Sequence, residues 1–305
     1  MSAISLDNQI FNWKAPDDSA GYANWRSNRL KAAEMALNRP PVEVANLSNP
    51  GESVVSELKN RCDEANFALY TCVDSGPVSG SMPPVGDFAA AFGLQVAEAH
   101  RSADGTGIVA LRVTDKAGQR GFIPYSPRSM NWHTDGYYNA ADARISAFIL
   151  HCVRPAGDGG VNQLFNPEIL YIRLRDISPA YVQALMHPAV MSIPENIEPD
   201  GSLRPVSVGP VFYGDAQTGR LQMRYTARTR SISWCDEEVT QEAIAALTEI
   251  LAANDPLMMQ VALKAGQGIL TNNALHNRTQ FHNSTEDAGR LMIRVRFHNR
   301  VQRRT

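Results

Sequence analysis

Two residues near the middle of the chain have the types and the spacing of paired metal ligands. His133 and Asp135 lie in the segment NWHTDGY, and residues two apart in an extended strand point to the same face. An imidazole and a carboxylate side by side match two of the three protein ligands in the two-histidine, one-carboxylate arrangement that holds Fe(II). The alternative is a surface histidine followed by an aspartate that opens an Asp-Gly turn, so this pair needs support from elsewhere in the chain.

Further candidate residues lie near the C-terminus. His276 follows a Gly-punctuated strand, and Arg290 lies fourteen residues after it, at the start of the alternating run RLMIRVRF. In this run Arg290, Arg294 and Arg296 project to one face, and apolar side chains project to the other. Arginine inside a sheet is costly unless it meets an anion, and its planar guanidinium binds a carboxylate through two parallel hydrogen bonds. The alternative is an edge strand whose arginines face solvent.

Together these segments resemble the taurine dioxygenase (TauD/TfdA) family of Fe(II)/2-oxoglutarate oxygenases. The resemblance is carried by the ordered set WHTDG, GG before an apolar residue, LHNRTQF and GRLMIR, between about residues 124 and 297. It implies that His133, Asp135 and His276 are the iron ligands and catalytic residues. It also implies that Arg290 grips the distal carboxylate of 2-oxoglutarate.

The resemblance implies roles for neighbouring residues as well. Arg294 matches an arginine that faces the active site and meets an anionic group of the substrate or cosubstrate. Asn162 follows the run GGV where the family usually has a threonine that binds the cosubstrate carboxylate, and its amide could donate in that place. The family's usual Asp-Asn before the distal histidine is replaced by Asn272 and Asn273. The intact carboxylate at Asp135 favours hydroxylation over halogenation.

Basic and aromatic residues near the motifs suggest how a substrate would be bound. Arg224 and Arg228 lie in the strand-like run RYTAR and, with Arg294, would favour a small anionic substrate such as a carboxylate, sulfonate or phosphonate. Tyr137 flanks the iron motif and would line the pocket. The alternatives are solvated arginines paired with nearby acids and an ordinary core tyrosine.

Composition excludes other classes of function. The chain has 305 residues and a net charge of −2, so it lacks the basic field that a nucleic-acid partner would select. No apolar run approaches the roughly 20 residues of a membrane span, and the N-terminus does not have the pattern of a signal peptide. Four cysteines without zinc-site spacing are typical of a reducing compartment. We therefore predict a cytoplasmic protein with a small-molecule substrate and no membrane partner. Related enzymes form dimers or tetramers, so a homo-oligomer is also expected.

The hydrophobic pattern predicts the scaffold that must position these residues. Helices are expected over Ser19–Asn38 and Glu52–Asn66. From about Gly107, short β-rich runs separated by turns predict a mainly β fold with flanking helices, a double-stranded β-helix or jelly-roll barrel. We expect one domain, in which residues 1–106 form a helical cover and residues 107–305 form the jelly-roll core with helical inserts.

Residues and resemblance together predict a non-haem Fe(II)/2-oxoglutarate-dependent dioxygenase. Such an enzyme would use O2 to hydroxylate a C–H bond of a small anionic substrate and would release succinate and CO2. Two alternatives stay open: an oxygenase of the same fold that does not need 2-oxoglutarate, and a non-catalytic barrel that binds a small ligand. The residues do not distinguish hydroxylation from desaturation or cyclisation.

Overall fold

The structure of the protein is a computed structural model. It describes residues 19–72, 82–99, 105–115, 119, 121–198, 201–283 and 289–303. Within these ranges the α-helices are α1 (Ser19–Asn38), α2 (Glu52–Ala65), α3 (Val85–Ala90), α4 (Pro167–Ile177), α5 (Pro179–Leu185) and α6 (Glu238–Ala252). The first helix has the bounds that the sequence predicts.

Local sequence signals explain where two of these helices begin and end. Helix α4 starts at Pro167, which cannot donate a backbone hydrogen bond and suits a first turn. The side chain of Asn166 accepts a hydrogen bond of 3.0 Å from the N–H of Glu168 and so caps this helix. Helix α2 ends one residue earlier than predicted because Asn66 adopts the left-handed conformation, with φ of 64°.

The strands are short, as the β-rich runs predict. In chain order, the described residues contain β1 (Val42–Val44), β2 (Phe67–Cys72), β3 (Val109–Leu111), β4 (Met130–His133), β5 (Ala147–Arg154), β6 (Asp158–Gly159), β7 (Asn162–Phe165), β8 (Met191–Ile193), β9 (Asn196–Ile197), β10 (Leu203–Arg204), β11 (Ser207–Gly209), β12 (Phe212–Gly214), β13 (Leu221–Met223), β14 (Ser233–Trp234), β15 (Met259–Val261), β16 (Gln267–Thr271), β17 (Leu275–Arg278), β18 (Phe281–His282) and β19 (Leu291–Phe297). The protein is therefore mainly β with flanking helices.

Two larger sheets form the frame of the protein. The major sheet has the order β1-β2-β16-β5-β19-β3, and the minor sheet has the order β15-β7-β17-β4. An apolar cluster packs the two sheets against each other, because each contributes side chains from its inner face. Its members include Phe148, Leu150, Ile269 and Met292 of the major sheet and Leu164 and Met259 of the minor sheet.

Two further apolar clusters attach the helices. The outer face of the major sheet packs on α2 and α3 through residues such as Leu58 and Phe88, both fully buried. A third cluster joins α4, α5 and α6 to strands β12 and β13. Burying one such large apolar side chain contributes about 1.5–3 kcal/mol, so these contacts hold the two sheets in a fixed position relative to the helices.

The N-terminal part differs from the predicted helical cover. Strand β2 pairs with β16 over five residues, and β1 pairs with β2 in parallel, so both strands belong to the major sheet. The segment FALYTC is apolar on both faces, and burial in the sheet satisfies its backbone as well as its side chains. Within residues 1–106, positions 1–18, 73–81 and 100–104 lie outside the described residues. The expectation of a single domain stays a prediction.

The four cysteines are free thiols, and Cys62, Cys72 and Cys152 are buried. In the described ranges, no helix is both long and apolar enough to cross a lipid bilayer.

Candidate active site

Adjacent strands of the minor sheet bring the two histidines together. His276 of β17 lies directly opposite His133 of β4, and their ring centroids are 4.3 Å apart. Strand β4 ends at His133, so Asp135 lies in the turn that follows the strand. The prediction that both residues lie in one strand is therefore wrong for Asp135. The carboxylate still points to the same place, with Asp135 Oδ1 3.9 Å from His133 Nε2.

The three side chains present their donor atoms to one point. One ligand atom from each of His133, Asp135 and His276 lies within 4.8 Å of the other two. The Nδ1 atoms of His133 and His276 lie 2.8 and 2.9 Å from the carbonyl oxygens of Asn131 and Ala274. Because a carbonyl only accepts, each Nδ1 must carry a proton, and each Nε2 keeps its lone pair for a metal.

The carboxylate of Asp135 has one oxygen engaged and one without a partner. Arg294 Nη1 donates a hydrogen bond of 3.2 Å to Oδ1, whereas Oδ2 is buried and has no hydrogen-bond partner. Burial alone would raise the pKa of this carboxyl, but the charges of Arg294 and Arg296 outweigh it and hold the pKa well below its usual range. A buried, ionised oxygen without a partner fits a metal ligand.

The electrostatics of the histidines also fit a metal site. Burial lowers the pKa of His276 to about 3, and it lowers the pKa of His133 as well. Both imidazoles are therefore neutral near pH 7, which is the form that binds a metal. Two neutral imidazoles and one carboxylate are the donor set of Fe(II) sites that keep open positions.

Asn273 holds the backbone of Asp135 in place. Its Oδ1 accepts a hydrogen bond of 2.8 Å from the N–H of Asp135, and its Nδ2 donates to the carbonyl oxygens of Asp135 and Ile145. Asn272 acts elsewhere, since it donates to the carbonyl of Val301 at 3.2 Å and accepts from its N–H. The sequence showed the two asparagines only as a departure from the family pattern, because their partners lie far away in the chain.

Replacing Asn273 with glycine is expected to weaken Fe(II) binding about 10- to 100-fold. The backbone at Asn273 has a φ of 51°, which glycine adopts without strain, so the variant removes the side-chain clamp alone. Fe(II) affinity would be measured by anaerobic titration. Asn254→Gly is the matched control, because Asn254 has a φ of 50° and is exposed beyond α6. Equal affinities of both variants and the natural protein would contradict this positioning role.

Arg290 directly precedes β19 and is buried, with no acidic partner among the described residues. Its side chain lies over the ring of Phe281, 5.0 Å from the centroid, and only 5% of the residue is exposed. Burial lowers its pKa to about 10, and no acidic side chain among the described residues raises it. A methyl group on Gly160 would lie 3.7 Å from Arg290 Nε. A buried guanidinium without a carboxylate partner among the described residues fits the terminal carboxylate of a 2-oxo dicarboxylate.

Asn162 and Arg294, the other predicted cosubstrate residues, lie against protein groups in the structure. Asn162 of β7 is buried, and its Nδ2 donates a long hydrogen bond of 3.5 Å to the carbonyl of Val261. Arg294 lies against Asp135, and its Nε is buried with no hydrogen-bond partner. Arg296 forms an ion pair with Glu98 and donates to the hydroxyl of Tyr138. Contacts of Asn162 and Arg294 with a cosubstrate or substrate stay predictions.

Arg224 does not fit the substrate-binding role expected from the sequence. It is 4% exposed, and its guanidinium donates hydrogen bonds of 2.7–3.3 Å to the carbonyls of Tyr137, Met191, Gly209 and Ser207 and to the hydroxyl of Ser207. Every N–H group of the guanidinium is engaged, so none is left for a ligand. Arg224 instead joins β11, β8 and the turn after Asp135.

Arg228 has the accessible position that a substrate-binding arginine needs. It is exposed, and its Nη1 donates a hydrogen bond of 3.0 Å to the hydroxyl of Tyr137. Tyr137 follows Asp135 by two residues and is partly buried, and burial raises the pKa of its hydroxyl. The structure thus places the predicted pair Tyr137 and Arg228 next to each other, and their contact with a substrate stays a prediction.

A separate cavity of about 410 Å³ lies between the minor sheet and α6. Its wall includes Trp132, Asn277 and Leu251, and none of the three candidate metal ligands lines it. Trp132 and Asn277 alternate with His133 and His276 along their strands, so they belong to the opposite face of the sheet. This cavity is not the site where the candidate ligands converge.

Comparison with known proteins supports the fold. At 18% identity, a crystal structure of the non-heme iron oxygenase OrfP in complex with Fe and alpha-ketoglutaric acid matches with a TM-score of 0.59, covering 91% of each chain. Asparagine oxygenase in complex with Fe(II), 2S,3S-3-hydroxyasparagine and succinate matches with 16% identity and a TM-score of 0.52, covering 89% of each chain. At these identities the matches show a shared fold.

Sequence comparison supports the family. A curated relative, uridine-5'-phosphate dioxygenase from Amycolatopsis sp, is 29% identical over 170 residues, which are 54% of this chain. The match spans 60% of the length of that relative. Residues 73–296 match the family described as taurine catabolism dioxygenase TauD, TfdA family, and this range contains all three candidate metal ligands and Arg290. The chain therefore belongs to the TauD/TfdA family of dioxygenases.

Proposed function

We propose that this protein is a non-haem Fe(II)/2-oxoglutarate-dependent dioxygenase that hydroxylates a C–H bond of a small anionic substrate. The observation that carries the proposal is the convergence of His133, Asp135 and His276 within 4.8 Å, in a protein that also buries Arg290 without an acidic partner among the described residues. In this proposal the two larger sheets are the layers of a jelly-roll, or double-stranded β-helix. The reaction would convert substrate, 2-oxoglutarate and O2 into hydroxylated product, succinate and CO2.

The chain's own residues would supply binding and orientation. His133, Asp135 and His276 would hold Fe(II), which together with 2-oxoglutarate and O2 supplies the oxidising chemistry. Arg294 holds Asp135 through Oδ1 and leaves Oδ2 free to bind the metal. Arg290 would fix the far end of the cosubstrate by a charge-assisted pair of hydrogen bonds.

The proposed anionic substrate rests on Arg228 and on the curated relative. Arg228 is exposed and donates a hydrogen bond to Tyr137, which follows the candidate ligand Asp135 by two residues. Its charge therefore lies near the candidate metal site. The name of the relative indicates a phosphate-bearing substrate. A phosphate, sulfonate or carboxylate group would each suit a guanidinium. A homo-oligomeric state remains part of the proposal, to be checked by sedimentation.

An anaerobic titration tests the proposal. The metal-loaded protein should develop a weak visible charge-transfer band when 2-oxoglutarate is added, and admission of O2 with the right substrate should then release one succinate per product. The panel of substrates should contain nucleoside monophosphates, sulfonates, phosphonates and small carboxylates. Oxidation of a substrate without any 2-oxoglutarate would favour the 2-oxoglutarate-independent oxygenase. A protein that binds Fe(II) but neither 2-oxoglutarate nor O2 would favour the non-catalytic binding role.

A further inference from the structure

A second arginine shares the face of the minor sheet that carries His276. Strands β17 and β7 pair in regular register, with His276 opposite Leu164 and Arg278 opposite Asn162. Residues two apart on a strand point to the same side, so Arg278 and His276 share one face. Arg278 also contributes to the wall of the cavity between the minor sheet and α6. The opposite face is marked by Asn277, which donates a hydrogen bond of 2.6 Å to the side chain of Gln163.

Arg278 and Arg290 meet at one aromatic ring. The guanidinium carbons of Arg278 and Arg290 lie 4.8 and 5.0 Å from the ring centroid of Phe281, so they are no more than 9.8 Å apart. Each arginine is only 5% exposed. Arg278 is the last residue of β17 in the minor sheet, and Arg290 directly precedes β19 of the major sheet, so the pair lies where the two sheets meet.

The charges of this pair are not neutralised within the described part of the chain. Arg278 Nη2 donates to the carbonyls of Ser126 and Arg128, while its Nε is buried with no hydrogen-bond partner. No acidic side chain of the described residues acts on either guanidinium, and burial together with the nearby charge of Arg290 lowers the pKa of Arg278 to about 10. Two buried like charges are costly unless an anion lies between them.

We propose that Arg278 is a second cosubstrate-binding residue, which with Arg290 forms a clamp of two guanidiniums around the far carboxylate of a 2-oxo dicarboxylate. This inference rests on the proposed function. Asn162 lies beside Arg278 on the neighbouring strand, in the place where its amide could donate to the same carboxylate. The competing explanation is that Arg278 only ties the segment around Ser126 and Arg128 to β17.

The test compares Arg278→Gln with the natural protein in two binding measurements. In the Fe(II)-loaded, anaerobic protein, the Kd for 2-oxoglutarate should rise about tenfold or more, as expected for loss of a hydrogen bond to a charged group. In the metal-free protein, glutarate should raise the melting temperature of the natural chain, and this shift should be lost in the variant. Glutarate has no keto group, so it reports on the carboxylate clamp without metal chelation.

Two further variants complete the experiment. Arg128→Gln is the matched control, because this exposed arginine lies in the tied segment while its backbone carbonyl, which accepts from Arg278, is retained. It should leave both measurements unchanged. Arg278→Lys keeps the positive charge and provides a second test if Arg278→Gln does not fold. The Kd for 2-oxoglutarate should rise less in Arg278→Lys than in Arg278→Gln.

The outcomes separate this inference from the proposed function. If Arg278→Gln melts at a lower temperature but keeps the glutarate shift and the Kd for 2-oxoglutarate, Arg278 is only a tie and the inference is overturned. An unchanged Kd in Arg278→Lys, with Arg278→Gln unfolded, would overturn it as well. If the natural protein binds Fe(II) but neither 2-oxoglutarate nor glutarate, the proposed function itself fails.

Discussion

Asp135→Ala is expected to abolish Fe(II) binding at micromolar metal and to lower kcat/KM by at least about 10³-fold. Asp135 is the only acidic residue among the three converging side chains, so its loss removes the charge that offsets a divalent cation. The change also leaves the guanidinium of Arg294 without its carboxylate partner, 3.2 Å away in the natural protein. An unpaired positive charge beside His133 and His276 would oppose metal binding further.

The measurement is iron per chain after anaerobic loading and desalting, followed by succinate release. Asp142→Ala is the matched control, because Asp142 is an exposed aspartate seven residues further along the chain. It should retain one iron per chain and full turnover. Asp135→Glu separates charge from geometry, since it keeps the carboxylate but displaces it by one methylene. An alanine variant that still holds stoichiometric iron would show that Asp135 is not a ligand.

Elements with a long, uninterrupted pattern could be predicted closely from the sequence. Strand β19 (Leu291–Phe297) lies within the alternating run RLMIRVRF, because only one register of such a run places its apolar side chains in the core. Helix α1 spans Ser19–Asn38 as predicted, ending just before Arg39 and two prolines. The pairing of β2 with β16 could not be predicted, because the two strands lie about two hundred residues apart and a local pattern carries no information on such pairing.

The residues around the metal ligands could be predicted only in part. The convergence of His133, Asp135 and His276 could be predicted because their types and spacing are unusual together. Arg224 was misjudged because its five acceptors come from four separate residues that only the folded chain brings together. Asn273 acts through backbone atoms of Asp135 and Ile145, which lie far away in the chain, so no local sequence pattern marks its role.

The proximity of Arg278 and Arg290 is a second feature that the sequence did not predict. The two arginines are twelve residues apart, and the intervening segment includes Phe281, whose ring both contact. Strand alternation alone placed Arg290 on a face with Arg294 and gave Arg278 no role. The folded chain brings the second guanidinium to the first where the two sheets meet, and no local pattern in the sequence indicates this contact.

Arg290→Gln is expected to raise the Kd for 2-oxoglutarate by roughly 10²-fold or more while iron per chain stays the same. The guanidinium of Arg290 is 5% exposed, so a carboxylate bound there is shielded from water and depends on this donor pair. Glutamine is shorter, neutral and has one amide group in place of the fork. The metal ligands lie on other elements, β4, the turn after it and β17, so their convergence does not depend on this side chain.

The titration of the charge-transfer band measures this effect directly, and kcat at saturating 2-oxoglutarate should fall much less than kcat/KM for the cosubstrate. Arg173→Gln is the control, because Arg173 forms a partly buried ion pair with Asp255 on the helical side of the protein and should change stability alone. Arg278 and Arg290 would hold the same carboxylate, so their effects on binding should not be independent. The rise in the Kd for 2-oxoglutarate in the double variant should therefore be smaller than the product of the fold-changes in the two single variants. An unchanged Kd in Arg290→Gln would leave iron chemistry without 2-oxoglutarate as the better explanation of the site.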